Sequence, residues 1–360
     1  METVDVLVVG AGLAGLQTAR LLAEHGLSVQ VVERRRSLTV GIRTTGIFVR
    51  RTLTDFSLPD HLLGPGIRDV LLYPPSRRAP IHLTSDRDEY RVADMAGVYD
   101  HARRAAESAG ARVSLGVRYP EEVRVSPRFL IGADGARSRV ARDLGLSQNR
   151  HFLIGAEFVH PVAPGSVPAF HCVLDPHVAP GYLAWVLDDG HSAHIGVAGY
   201  PGAMRAGVRQ ALESFAATAP GLRDSLGPVT RRGGPIPVGG VLPRLACPRG
   251  LLVGDAAGAV SPLTAGGLDP CLRLSALAAA VTAEYLHTGD PSVLRRYDGA
   301  SLRTRFRGRL LLRRAYAAVR SPALTEAAFA MLRPRVGRAL AARVLFNDGS
   351  FPDVPVPVPG

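Results

Sequence analysis

The stretch DVLVVGAGLAG, residues 5–15, decides the fold that we expect for this chain. Its first five residues form an apolar, valine-rich run, which is typical of a parallel strand buried on both faces. Gly10, Gly12 and Gly15 break the strand, and apolar residues then recur at helical spacing up to Gly26, a residue suited to end a helix. A second short strand leads to Glu33. The order strand, glycine loop, helix, strand and carboxylate predicts a dinucleotide site.

Each part of this pattern has a physical role in binding a dinucleotide. The glycines let the backbone approach a pyrophosphate, and the N-terminus of the helix, with Leu13 and Ala14, supplies N–H groups and the positive end of its dipole. Glu33 lies where a carboxylate can bind a ribose 2′-OH. The following Arg34 and Arg35 either cover the adenine or its phosphates or belong to a solvated run of charge.

The composition limits the class of protein. A chain of 360 residues suits one large or two interleaved domains. We find neither an apolar run of ~20 residues nor a basic leader, so we expect no membrane span and no signal peptide. Three widely spaced cysteines exclude a disulfide framework or a zinc site and fit a reducing cytoplasm. We therefore expect no metal and no nucleic-acid partner.

All 43 basic residues are arginines, so amine chemistry by a lysine is excluded. Thirteen of these arginines lie between Arg295 and Arg343, against only Asp298 and Glu326. The arginines either solvate the outer face of helices or attract an anionic partner. An acidic carrier protein, a pyrophosphate-bearing substrate or an anionic membrane surface would each qualify.

The remaining elements predict an α/β fold in which a Rossmann-like domain is interleaved with a mostly antiparallel sheet domain and followed by C-terminal helices. Val40–Arg51 reads as a loop that enters a helix near Ile47, whereas Asp69–Tyr73 and Ile81–Thr84 read as paired strands. The expected units are the dinucleotide-binding domain (1–68, 93–150 and 242–290), the substrate-side sheet (69–92 and 151–241), the arginine-rich helices (291–352) and a Pro-rich tail (353–360).

Three motifs in sequence order resemble the FAD-dependent oxidoreductases of the p-hydroxybenzoate hydroxylase structural class. They are Gly10–Gly15 with Glu33, Gly132-Ala-Asp-Gly135 and Gly254-Asp-Ala-Ala-Gly258. The chain is most similar to the geranylgeranyl reductase branch, because Pro262-Leu-Thr-Ala-Gly266-Gly267 opens a helix in the same way. Pro180-Gly181 followed by Trp185, and Asn347–Asp353, also resemble those reductases.

The resemblance implies FAD as the cofactor, with NAD(P)H or a separate protein as the transient electron donor. It places Gly10, Gly12, Gly15 and Arg43 against FAD and Glu33 against the adenosine ribose. Asp255 is expected near the pyrophosphate and ribityl chain, in the third motif that Gly254 begins. Gly266, Gly267 and Leu268 are expected against the flavin ring, and Asp134 is expected in the loop beside the flavin.

The chain departs from the reductases where they carry Cys-Gly near the flavin, since Thr45-Gly46 stands there and no thiol can donate a proton. A reductase must protonate the carbon next to the one that receives hydride. Candidate acids are Asp269, Tyr182, His171 and His194, of which Asp269 lies nearest to the glycine pair in sequence. A first-turn Asp also complements a helix dipole. Trp185 either lines the substrate cavity or is simply core.

Three hypotheses on function stay open. The first is an FAD-dependent reductase of a carbon–carbon double bond in a prenyl-like intermediate or in a polyene or other natural-product intermediate of secondary metabolism. The second is a monooxygenase that acts through a C4a-hydroperoxide on a small hydrophobic or aromatic substrate. The third is a non-redox cyclase that retains FAD. A lysine-dependent flavin halogenase is disfavoured.

Overall fold

The computed structural model describes residues 2–163, 165 and 167–346, and the strands of this part of the chain form three sheets. The strands are β1 Glu2–Val9, β2 Val29–Glu33, β3 Ile47–Val49, β4 Leu63–Ile67, β5 Asp69–Tyr73, β6 Ile81–Thr84, β7 Tyr90–Ala93, β8 Arg112–Leu115, β9 Val125–Gly132, β10 Phe152–Pro161, β11 Ala169–Val173, β12 Ala184–Asp188, β13 Ser192–Gly199, β14 Thr230–Pro237, β15 Ala246–Cys247 and β16 Gly250–Leu252.

Helices connect and cover these strands. The α-helices are α1 Leu13–Glu24, α2 Arg50–Asp55, α3 Met95–Ser108, α4 Arg139–Asp143, α5 Gly207–Ala216, α6 Leu268–Thr288, α7 Gly299–Thr304, α8 Arg307–Ala318, α9 Pro322–Leu332 and α10 Arg335–Leu345. Short 3₁₀ helices span Asp60–Leu62, Pro201–Ala203, Gly254–Ala257 and Pro291–Tyr297.

The first sheet has the strand order β15-β16-β9-β1-β2-β8. Strands β1, β2, β8, β9 and β16 run parallel, and β15 is an antiparallel edge strand. Val6 and Val8 in the centre of β1 have no exposed surface, as expected for a strand with packing on both faces. Since β1, β9 and β16 are neighbours, their carboxyl ends bring the three glycine motifs to one edge of the sheet, where ligands of open parallel sheets bind.

The second sheet has the order β14-β10-β13-β12-β11-β5-β6. Its pairs are antiparallel except for β5 with β11. The prediction of a Rossmann-like domain interleaved with a mostly antiparallel sheet and followed by helices is therefore confirmed. The pairing of β5 with β6, predicted from the sequence, is also present.

The third sheet, β3-β7-β4, was not expected from the sequence. The predicted helix near Ile47 is wrong at its start, because Ile47–Val49 pairs with β7 and the helix α2 begins only at Arg50. An apolar run of three residues carries no period that separates a strand from a helix. Strand β4 contains a Gly-Pro-Gly sequence that usually indicates a turn. The boundaries of the predicted units stay a prediction.

The C-terminal part from Pro291 to Leu345 is helical, as the sequence indicates. The Asn347–Asp353 segment and the Pro-rich tail lie outside the described residues. None of the helices within the described ranges combines the length and apolar character that crossing a membrane requires.

Candidate functional site

The glycine loop between β1 and α1 contains two glycines that the packing of the chain requires. Gly10 has a positive φ of 105°, and a Cβ there would lie 2.3 Å from the carbonyl oxygen of Ala133. A Cβ on Gly15 would lie 2.0 Å from the carbonyl oxygen of Gly10. Real Cβ atoms do not approach backbone oxygens this closely. Glycine at both positions therefore allows the loop to pack closely against the end of β9 and the start of α1.

Gly12 is different, because a Cβ at this residue would meet no atom within 4 Å. It is the N-cap of α1, no side chain caps this helix, and the first turn contains no acidic residue. Gly12 lines a cavity of about 1040 Å³, together with Leu13 and Ala14. The N–H groups at the start of α1 are thus left for a ligand, which suits a phosphate.

Glu33 ends β2 and is buried beside the loop. Its Oε2 accepts a hydrogen bond from the backbone N–H of Ala11 at 3.0 Å, and its Oε1 accepts from the N–H and Nε of Arg35 at 2.9 and 3.3 Å. The guanidinium of Arg35 lies 6.0 Å from the ring centre of Tyr99. Arg34 and Arg43 line the cavity, whereas Glu33 and Arg35 are not among the described residues that line it.

Asp134, which follows β9, has one oxygen occupied and one without a partner. Its Oδ2 accepts hydrogen bonds from the backbone N–H groups of Arg139 and Val140 at 2.6 and 3.2 Å, at the start of α4. Its Oδ1 is buried and bonds to no described residue. Since Asp134 lines the cavity, a ligand with hydroxyl or N–H donors would satisfy this oxygen.

The third motif and the start of α6 face the same cavity. Asp255 belongs to the 3₁₀ helix after β16, and burial raises its pKa to about 6. Gly267 is the N-cap of α6, and no side chain caps this helix either. Gly254, Asp255, Gly266, Gly267 and Leu268 all line the cavity. A second helix N-terminus therefore offers N–H groups to a ligand that carries negative charge.

These residues fit FAD on observations from the structure itself. We call Gly12, Asp134 and the N-termini of α1 and α6 the polar lining of the cavity. It has open space at Gly12, an unpaired Oδ1 on Asp134 and two helix N-termini without a side-chain cap. A dinucleotide with a pyrophosphate and several hydroxyls has the acceptors and donors that this lining lacks. Among the described residues there is no group of three His, Cys, Asp or Glu side chains that could hold a metal ion.

Another part of the cavity wall is apolar, and its residues lie in or next to β11, β12, β14 and α8. This apolar lining comprises Phe170, Leu174, Leu183, Trp185, Ile236 and Leu312. The ring of Trp185 lies against Gly196 of β13, where a Cβ would come within 2.0 Å of it. Gly196 therefore makes room for the indole. Of the two interpretations of Trp185 from the sequence, cavity lining or core, the structure places it in the cavity lining.

Thr45 and Trp185 were separate candidates in the sequence, and both donate hydrogen bonds to Glu157, which we did not predict as a site residue. The Thr45 hydroxyl donates to Oε1 of Glu157 at 2.7 Å, and Nε1 of Trp185 donates to the same oxygen at 3.2 Å. Glu157 is 4% exposed and lines the cavity. The alternation of β10 gave a signal, since Glu157 shares the inward face with Leu153 and Val159.

The charges around Glu157 keep it ionised. Burial alone would raise the pKa of Glu157, but His194 and the hydrogen bonds from Thr45 and Trp185 outweigh burial and lower it. Burial likewise opposes the charge on His194, yet Asp189 and Glu157 raise the pKa of this imidazole to about 9. Nη1 of Arg232 lies 4.0 Å from Oε2 of Glu157. At neutral pH the pair is a buried carboxylate beside an imidazolium.

The structure does not place the other candidate acids against the cavity, Tyr182 excepted. Oδ1 of Asp269 accepts hydrogen bonds from Thr52 and from Nε of Arg273, both at 2.8 Å, in a buried contact that ties α2 to α6. Asp269 is not among the residues that line the cavity, and neither is His171, whose Nδ1 lies 2.9 Å from the Tyr73 hydroxyl. The hydroxyl of Tyr182, which does line it, donates to the carbonyl of Thr264.

The chain is similar in sequence to a known domain family and to named reductases. Residues 3–55 match the FAD binding domain family. The chain is 32% identical to digeranylgeranylglycerophospholipid reductase 1 of Methanopyrus kandleri over 82% of this chain and 84% of the relative. It is 28% identical to the digeranylgeranylglycerophospholipid reductase of Thermoplasma acidophilum over 83% of both chains.

Solved structures share the fold. A geranylgeranyl bacteriochlorophyll reductase-like protein from Thermoplasma acidophilum superposes with a TM-score of 0.82 at 23% identity, covering 95% of this chain and 96% of that one. A flavin-dependent brominase has a TM-score of 0.69 at 13% identity, covering 97% and 94%. With the sequence relationship to the Methanopyrus enzyme, these findings show that the chain belongs to the geranylgeranyl reductase family of FAD-dependent oxidoreductases.

Proposed function

We propose that this protein reduces a carbon–carbon double bond in a prenyl-like or polyene chain. One observation carries the proposal: the polar lining that fits FAD and the apolar lining with Trp185 belong to a single cavity. An apolar chain bound against Phe170 and Trp185 would therefore reach the part of the cavity that fits the flavin. When bound and reduced, FAD supplies hydride chemistry at its N5 atom.

The residues of the chain would bind FAD and exclude water from its ring. Gly12 and the first turn of α1 would hold the pyrophosphate, and Asp134 and Asp255 would accept hydrogen bonds from hydroxyl groups of the cofactor. The start of α6 at Gly267 and Leu268 would stabilise negative charge on the flavin through its N–H groups. Reducing equivalents would come from NAD(P)H or from a separate electron-donor protein.

We further propose that the substrate or its carrier is anionic or lies at an anionic membrane surface. The C-terminal helices expose both apolar and cationic side chains, including Leu311, Met331 and Val336, which are 63%, 73% and 83% exposed. Exposed arginines such as Arg307 and Arg314 lie on the same helices. Leu312 of α8 and Val344 of α10 also line the cavity, so this surface adjoins the proposed path of the substrate.

The test is a reaction of the purified flavoprotein, reduced with dithionite without oxygen, with a geranylgeranyl phospholipid. We expect the product to gain two hydrogens for each double bond reduced, as mass spectrometry would show. Parallel assays with NAD(P)H in air separate the alternatives, since a monooxygenase consumes both reductant and oxygen and a non-redox cyclase consumes neither. An unchanged lipid mass in the oxygen-free reaction contradicts the proposed reduction.

A further inference from the structure

The buried cluster around Glu157 extends from the cavity to the surface of the protein. On the cavity side, Glu157 accepts from Thr45 and Trp185 through a single oxygen, Oε1. Behind it, Nδ1 of His194 lies 3.8 Å from the same oxygen. A carboxylate buried this deeply is costly unless it is paired, and a core strand position has no structural need for one. The cluster therefore calls for a chemical explanation.

His194 of β13 lies between two carboxylates. Its Nε2 lies 3.1 Å from Oδ2 of Asp189, in the turn between β12 and β13, and its Nδ1 is buried without a hydrogen-bond partner among the described residues. A doubly protonated imidazole would direct its second N–H towards Glu157. Asp189 is 13% exposed at its side chain and reaches solvent. Asp189, His194, Glu157 and Thr45 thus follow one another from solvent to the cavity, with a gap of 3.8 Å between Nδ1 of His194 and Oε1 of Glu157.

The charged groups that face this line come from three elements. Glu157 belongs to β10, Asp189 to the turn after β12, and Arg232 to β14, where it also donates to the carbonyl of Thr44 at 3.1 Å. The two carboxylates keep a proton on His194, and Arg232 favours the ionised form of Glu157. A proton is accordingly stored one residue away from the cavity wall, where bulk water does not compete for it.

We propose that Glu157 is the catalytic acid that protonates the substrate carbon, and that His194 is the positioning residue that supplies Glu157 with this proton. The inference rests on the proposed double-bond reduction. Such a reduction needs one proton for every hydride. Of the other candidate acids, Asp269 and His171 are not among the residues that line the cavity, and the Tyr182 hydroxyl donates to the carbonyl of Thr264. Because its neighbours lower the pKa of Glu157, the protonated carboxyl is a strong acid. The transfer of a proton to it from His194, whose pKa is raised to about 9, is energetically uphill.

The step balances in atoms and electrons. The π bond of the substrate breaks while a hydride equivalent, supplied by reduced FAD, brings an electron pair and forms one C–H bond. The O–H bond of protonated Glu157 breaks, and its proton forms the C–H bond on the neighbouring carbon. Glu157 then takes the Nδ1 proton of His194, whose Nε2 keeps its proton towards Asp189, and Nδ1, left with a lone pair, regains a proton from water.

The closing experiment compares the wild-type protein with Glu157→Gln, which still accepts from Thr45 and Trp185 but cannot carry the proton. The matched control is Glu89→Gln, another carboxylate that is 4% exposed but lies outside the cavity lining. In D₂O we expect the wild type to add two solvent deuteriums for each bond reduced, because the hydrogen on N5 of a flavin reduced by dithionite also comes from solvent. Glu157→Gln should retain FAD yet reduce the lipid roughly 10²–10⁴-fold more slowly, and Glu89→Gln should not.

A second readout does not depend on turnover. In histidine-labelled, FAD-loaded protein, NMR should show His194 titrating near pH 9 in the wild type and at clearly lower pH in Glu157→Gln. His194→Gln tests the supply step, and we expect it to slow reduction and to abolish the loss of activity of the wild type above about pH 9.

The outcomes separate the two proposals. A wild-type protein that reduces no double bond overturns the proposed function and this inference with it. A wild-type protein that reduces the lipid, beside a Glu157→Gln variant that does so at the same rate, overturns the inference alone. A His194 titration that is identical in the wild type and Glu157→Gln shows that the two groups are not linked, and it also overturns the inference.

Discussion

The hydroxyl of Thr45 donates a hydrogen bond of 2.7 Å to Oε1 of Glu157, although the two residues are 112 positions apart in the sequence. The bond joins the loop before β3 to the centre of β10. In the proposed reaction this bond would give Thr45 a role that does not require a thiol, because the hydroxyl would orient the carboxylate at the cavity wall. Thr45 would then act through Glu157 and not directly on the substrate.

Replacing Thr45 by valine keeps the shape of the side chain and removes this hydrogen bond. A buried carboxylate that loses a donor costs about 1–3 kcal/mol of stability. We expect Thr45→Val to lower the free energy of unfolding by this amount and to slow double-bond reduction, while FAD stays bound. Denaturant unfolding and single-turnover assays would measure the two effects.

Thr54→Val is the matched control for this variant. Thr54 lies exposed on α2 and, within the described part of the chain, donates only to the carbonyl of Arg50 in its own helix. We expect it to change neither stability nor rate appreciably. If Thr45→Val behaves like Thr54→Val in both measurements, Thr45 does not orient Glu157.

Two variants of the glycine loop should separate effects on FAD binding from effects on folding. Gly12→Val places its side chain in open space within the protein, so the flavin-free fold should keep its stability while FAD binding is lost. Gly15→Val should instead destabilise the flavin-free fold, because its Cβ would collide with the carbonyl oxygen of Gly10. The ratio of flavin to protein absorbance and the thermal unfolding of the flavin-free proteins would show this. A Gly12→Val protein that retains FAD would contradict the assignment.

The part of the site formed by the glycine loop and Glu33 could be predicted from the sequence, because the residues that indicate it lie close together in the chain. The strand β1, the loop, the helix α1 and Glu33 follow each other within 32 residues, from Glu2 to Glu33, and each has its own periodicity or turn residue. The buried strand, the C-terminal glycine of the helix and the carboxylate can be read without knowledge of any distant contact. The corresponding elements in the structure begin and end within a few residues of the prediction.

Glu157 and its partners could not be predicted in this way, because they meet only through sheet pairing. The register of β10 with β13 sets Val159 opposite His194, and the register of β12 with β13 sets Trp185 opposite Gly196. Neither register follows from the sequence of one strand. Asp269 illustrates the converse, since its position beside Gly267 suggested a catalytic acid, but Arg273 one helical turn later binds its carboxylate.

Asp269→Asn therefore tests the interpretation of this carboxylate as structural. Arg273 is 1% exposed, contacts both Asp269 and Asp55 and lies over the ring of Phe56. Removing one charge from a buried pair typically costs about 3–5 kcal/mol. We expect a large loss of stability in denaturant unfolding with FAD binding and turnover retained below the transition. Slow turnover in a variant of unchanged stability would instead indicate a catalytic role.

The stability of the protein should fall at alkaline pH because of His194. The pKa of this imidazole rises from 6.5 to about 9 on folding, so the folded state binds more protons than the unfolded state between these values. The contribution is complete below pH 6.5 and is lost as pH rises towards 9, by about 3 kcal/mol in total. Denaturant unfolding at a series of pH values would measure this slope, and His194→Gln should flatten it.

The surface of the C-terminal helices should bind anionic membranes. Exposed leucines on α8 and exposed arginines on the same helix give a surface that combines insertion with charge attraction. We expect the protein to sediment with vesicles that contain phosphatidylserine, and to bind neutral vesicles weakly. Added salt should release it, since the Debye length falls to about 3 Å at 1 M.

The variant that tests this surface reverses Arg307 and Arg314, which are exposed on α8, to glutamate. Arg303 is unsuitable, because its Nη1 donates to the carbonyls of Gly239 and Val241 at 2.7 and 2.8 Å and so holds the chain together. The control reverses Arg104 and Arg118, which lie outside these helices, so that the two variants have the same net charge. The α8 variant should lose vesicle binding and raise the KM for a phospholipid substrate without changing kcat. Equal loss in both variants would mean that overall charge, and not this surface, governs binding.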